Sequence, residues 1–124
     1  MFKVSIEDKI SSAHFLRGHD GKCAELHGHN WKVIVRIQTE KLDDVGLAID
    51  FYDLKAITKK IINRLDHKNL NDLDYFAQHN PSSENIAKYL YAEIKEHLPG
   101  GVTMSEVEVV ESEGCTVVYS EREE

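Results

Sequence analysis

His27-Gly28-His29-Asn30-Trp31-Lys32-Val33-Ile34-Val35-Arg36-Ile37 carries an alternation that decides the fold. The odd positions His27, His29, Trp31, Val33, Val35 and Ile37 fall on one side of an extended chain, while Lys32, Arg36 and Gln38 fall on the other. Successive side chains of a strand point to opposite faces, so this is a strand with one face toward a core. Two imidazoles continue that face, and a thiol, Cys23, lies just upstream. Working toward the N-terminus, Phe2, Val4, Ile6 and Ile10 alternate with Lys3, Ser5, Glu7 and Lys9, which makes a second half-buried strand. His14 has the parity of that apolar set.

Toward the C-terminus the period changes to that of a helix. Asp50 reads as an N-cap with Asp53 three residues on, and Gly46 to Ile49 as a short extended piece leading into it. Phe51, Leu54, Ile57, Ile61 and Leu65 form an apolar stripe that stops just before Asp66-His67. A second helix starts at Asn80-Pro81-Ser82-Ser83-Glu84, with proline near the first turn, a serine cap and an early acid favoured by the helix dipole. Its stripe is Ile86, Leu90, Ile94 and Leu98, and Pro99-Gly100-Gly101 ends it. Val107 and Val109 alternate with Glu106 and Glu108, and Val117 to Tyr119 follow a turn at Glu113-Gly114, giving two closing strands. This order lacks the strand-helix alternation of a parallel sheet. The expected architecture is α+β, a four-stranded antiparallel sheet with two helices packed on one face, in a single domain over residues 1–124.

The formal charge of -7 and a sequence pI near 5.5 provide no basic stripe for nucleic acid or for an anionic membrane surface. The stretch Met1 to Asp8 lacks the apolar core of a signal peptide, and no apolar run reaches the length of a membrane span, so a cytoplasmic protein is expected. In that reducing compartment Cys23 and Cys115 read as free thiols.

Residues two apart on a strand project from one face, so His27 and His29 can offer nitrogens to one metal ion, with His14 as a third ligand from a neighbouring strand. Three imidazoles suit zinc and leave one coordination position open, the mark of a catalytic site. The plainer alternative is a chance pair of half-buried histidines. Cys23 has three readings: a fourth ligand closing a structural site, a free thiol whose pKa falls beside a cation, or a small buried hydrophobe. Asp66-His67 has the composition of a carboxylate-fixed proton shuttle, or is a solvated helix end. Glu111 shares the parity of Val107 and Val109, so it ends a core-facing row and calls for a partner. That partner is an amidine-like edge, of a pterin or guanine for instance, or an internal arginine among Arg17, Arg36 and Arg64.

Ala13-His14, Cys23-x-x-x-His27-Gly28-His29-Asn30, Asp50-Phe51-x-Asp53-Leu54-Lys55, Leu65-Asp66-His67-x-x-Leu70-Asn71, Pro81-Ser82-Ser83-Glu84-Asn85-Ile86-Ala87 and Glu111 occur in the order found in the 6-pyruvoyl-tetrahydropterin synthase superfamily. The chain resembles that superfamily over nearly its whole length. The three-residue spacer between Cys23 and His27 is similar to the bacterial 6-carboxy-5,6,7,8-tetrahydropterin synthase branch of queuosine precursor synthesis. Trp31 and Ser112 depart from the pattern, standing where tyrosine and threonine are usual.

The resemblance implies a tunnelling fold, assembled as a homohexamer with active sites between subunits. It also implies a zinc enzyme acting on 7,8-dihydroneopterin triphosphate, with triphosphate leaving, and acetaldehyde as well in the carboxy-forming branch. By similarity His14, His27 and His29 hold zinc, and Cys23, Asp66 and His67 form the proton-transfer group. Glu111 grips the pterin, assisted by Ser82 or Ser83, and Arg17, Lys22 and Lys68 are candidate triphosphate contacts. Pyruvoyl-tetrahydropterin formation and a zinc- or pterin-binding protein without turnover are the alternatives. His19, His79 and Cys115 receive no role.

Overall fold

Strands β1 (Phe2–His14) and β2 (His27–Thr39) pair antiparallel along their whole length in the computed structural model of the chain, which describes residues 1–121. Ile6 stands opposite Val35, Ile10 opposite Trp31 and His14 opposite His27, so the apolar sets of both strands share one face. β3 (Thr103–Ser112) pairs with β2 and β4 (Cys115–Tyr119) with β3, which gives the sheet order β1-β2-β3-β4, antiparallel throughout. Two bulges punctuate β3. Between Glu106 and Met104 the register against β2 slips by one residue, which is why Met104 joins Val107 and Val109 in the core despite its opposite parity. The second lies between Val110 and Ser112, where Glu111 has no register partner in either ladder. Gly114, at φ 80°, turns the tight hairpin that follows.

The helices are α1 (Phe51–Ile62), α2 (Asp74–Gln78) and α3 (Ser83–Lys95). Asp50 caps α1 by accepting from the Tyr52 N–H, and Ser82 caps α3 by accepting from Asn85. α1 lies on β1 and α3 on β3 and β4, burying Leu54, Ile61, Ile86, Leu90 and Ile94 against Ile10, Trp31, Val33 and Val107. The α1 stripe departs from expectation at both ends. Phe51 is exposed, whereas Thr58 and Ile62 are buried, and Leu65 reaches the core from the turn after the helix. Residues 46–49 form bends in a loop and no strand. α2 adds a third, five-residue helix whose single buried side chain, Phe76, offered no periodic stripe to read. No helix among the described residues is long and apolar enough to cross a membrane.

The chain after α1 doubles back along the free edge of β1. His67 N–H donates to the Ser11 carbonyl at 2.7 Å, Ala13 N–H donates to that of Lys68 at 2.9 Å, and Ser11 N–H donates to Asp66 Oδ1 at 2.8 Å. This covers the edge where it carries His14. On the other side, the β2–β3 ladder stops at Lys32 opposite Val110, so the first residues of β2 border a gap.

Candidate active site

His14 is the last residue of β1 and faces His27 in register, with His29 two residues along the same strand. Their ring centroids lie 4.6, 5.1 and 4.8 Å apart, and one ligand atom from each falls within 4.8 Å of the others. Two carbonyls fix the tautomers. His14 Nδ1 lies 2.5 Å from the Pro81 carbonyl and His27 Nδ1 lies 2.7 Å from that of Glu25, so each Nδ1–H donates and each Nε2 keeps its lone pair. Those two Nε2 atoms are 3.0 Å apart. Facing acceptors at that distance repel unless a cation intervenes, and the donor set therefore fits a metal ion. Burial, with the neighbouring His27 and His29 charges, holds the His14 pKa below its ordinary value against the opposing Pro81 and Glu111 contributions, which favours the neutral ligand form.

Trp31, fully buried, packs against the histidines, its ring 4.8 Å from that of His14 and 5.1 Å from that of His29. Its indole N–H donates to Ser83 Oγ at 3.2 Å, and Ser83 donates in turn to Glu111 Oε1 at 3.1 Å. Glu111 Oε1 is also 4.0 Å from His29 Nε2. The arginine alternatives for Glu111 are engaged elsewhere: Arg36 with Glu106 and Glu108, Arg64 with Glu93, and Arg17 with the Phe76 carbonyl. Of the two candidate serines, Ser83 supports the carboxylate and Ser82 is spent as the α3 cap, although both border the cavity.

That cavity, about 400 Å³, is lined by the three histidines, Cys23, Glu111 and both serines, with Cys115 across it on β4. Cys23 sits in a helical turn whose carbonyl receives the Leu16 N–H at 2.7 Å. Among the described residues the converging ligand set consists of the histidines alone, so Cys23 borders the cavity without joining it. Asp66 and His67 are brought together: the Asp66 Oδ2 to His67 Nδ1 distance is 2.8 Å, made possible by the left-handed backbone of His67 at φ 55°. Partial burial opposes ionisation of Asp66, but the Ser11 N–H, the His67 ring and the Lys59 charge outweigh it and hold the carboxyl below its ordinary value. The pair does not line the chain's own cavity, and the His67 side chain is 80% exposed. Arg17, Lys22 and Lys68 do not line it either. The Pro81 carbonyl and the Trp31 indole escaped the sequence reading, because no local pattern announces a contact spanning 67 or 52 residues, and the Glu25 carbonyl escaped it because side-chain identity does not report where a backbone carbonyl points.

Residues 3–122 match the 6-pyruvoyl tetrahydropterin synthase family. The chain belongs to that family. Among the relatives of this synthase family, the 6-carboxy-5,6,7,8-tetrahydropterin synthase of Synechocystis is 35% identical over 122 residues, covering 94% of this chain and 89% of the relative. The human 6-pyruvoyl tetrahydrobiopterin synthase is 39% identical over 103 residues, covering 80% and 70%. The solved structure of the Caenorhabditis elegans 6-pyruvoyl tetrahydropterin synthase superposes with a TM-score of 0.86 at 27% identity, covering 98% of each chain. The tetrahydropterin synthase sheet and its helices are therefore the frame on which the histidine cluster, Glu111 and Cys23 are mounted.

Proposed function

We propose that the chain is a zinc-dependent lyase that converts 7,8-dihydroneopterin triphosphate and water to 6-carboxy-5,6,7,8-tetrahydropterin, acetaldehyde and triphosphate, a step in queuosine precursor synthesis in the cytoplasm. The observation that carries this is the pair of opposed Nε2 acceptors of His14 and His27, joined by His29, with Cys23 on the cavity wall outside the ligand set. Zinc held by the three imidazoles would polarise a side-chain oxygen of the substrate and acidify the neighbouring carbon. Cys23 takes a proton from that carbon as thiolate. Glu111 accepts two N–H donors from the pterin's amidine edge and sets the distance from ring to thiol. Asp66-His67 is a built proton shuttle that misses its own chain's cavity, so in this reading it serves the cavity of a neighbouring copy within a homohexamer.

Two relatives' names define the competing product. The Cys23–His27 spacer resembles the carboxy-forming branch, whereas the human relative, 39% identical, is named for pyruvoyl formation. Incubation of the zinc-loaded protein with 7,8-dihydroneopterin triphosphate separates them. Acetaldehyde released in step with triphosphate supports the carboxy reading, triphosphate without acetaldehyde supports the pyruvoyl reading, and neither product leaves a binding protein.

A further inference from the structure

Glu111 stands at a bulge, outside both ladders, and its side chain is 37% exposed. Backbone pairing alone therefore does not fix where its carboxylate points. The side chains that do fix it form a line with one possible polarity. An indole N–H can only donate, so the Trp31 hydrogen occupies the acceptor side of the Ser83 hydroxyl, whose single proton is then directed to Glu111 Oε1. Ser83 is 6% exposed and Trp31 is fully buried, so water does not compete for the link between indole and hydroxyl. The same indole edges against the rings of His14 and His29. One buried side chain thus sets the carboxylate relative to the histidine cluster.

We infer that Trp31 is a positioning residue for ligand recognition: acting through Ser83, its indole N–H fixes the Glu111 carboxylate so that its remaining lone pairs meet the two parallel N–H donors of a 2-amino-4-oxo heterocycle. This rests on the reading of Glu111 as the pterin-gripping group. The tryptophan is unique in the chain, so its indole gives a single N–H resonance that reports the relay directly.

The test measures pterin affinity of the zinc-loaded protein by calorimetry in four forms: unaltered, Trp31→Phe, Glu111→Ala and the double variant. Loss of the relayed hydrogen bond should weaken binding about three- to tenfold in Trp31→Phe, and by less than about twofold when Glu111 is already absent. An equal loss in both backgrounds, as simple packing would give, overturns the relay while leaving the Glu111 reading intact. Unchanged affinity in Glu111→Ala overturns both. The second measurement uses a chain that keeps the tryptophan: Ser83→Ala should move the indole N–H proton upfield in the ligand-free protein, and an unmoved resonance overturns the relay.

Discussion

At the scale of single residues, the site is a set of proton assignments. Carbonyls at Pro81 and Glu25 commit the Nδ1 hydrogens of His14 and His27, and what remains is a pair of facing lone pairs. The histidine cluster was legible, because His14, His27 and His29 continue the core-facing rows of their strands. The carbonyls that orient them were not, because they arrive from the α3 cap and from the loop before β2. Asp66 supplies a pH test. Its carboxyl is held below the ordinary value of 3.8 in the folded chain, so as pH falls the unfolded chain binds the proton first. The stabilisation it supplies is complete above that ordinary value and disappears as pH drops through the lower folded one. Urea midpoints of Asp66→Asn should therefore lie below those of the unaltered chain at about pH 6, and the gap should close as pH falls through the lowered folded value. A gap of constant size across that range would contradict the assignment.

At the scale of elements, period-two alternation located β1, β2 and β3, the turn at Glu113-Gly114 located β4, and the N-caps located both long helices, since each is a local signal. The features that escaped are those without one. α2 has a single buried side chain, and a bulge is a property of two strands together, visible in neither alone. The parity row holds through Val109, while the bulge leaves Glu111 outside both ladders with its carboxylate held by Ser83. α1 also buries a polar residue outside its apolar stripe. Thr58 is fully buried, and its hydroxyl has no hydrogen-bond partner among the described residues. Thr58→Val keeps the branched shape and removes the orphaned group, so it should raise stability by about 1 kcal/mol, read as a higher denaturant midpoint at unchanged slope.

At the scale of the whole molecule, the cavity and the Asp66-His67 pair belong to different parts of one chain, and the functional reading joins them only between copies. Topology was legible in the order of the elements, whereas a site completed by another copy leaves no trace in one chain's periodicity. Complementation tests it. Cys23→Ala and His67→Ala should each be inactive alone, yet equal, randomly mixed assemblies should regain about a quarter of full turnover if the two residues come from different chains. Sites built within one chain would regain nothing. Beneath this lies the claim that the three imidazoles hold the ion unaided while the thiol stays free for chemistry. Its most direct test is the zinc content of purified, folded Cys23→Ala. The account predicts as much bound zinc per chain as in the unaltered protein; loss of the metal would contradict it.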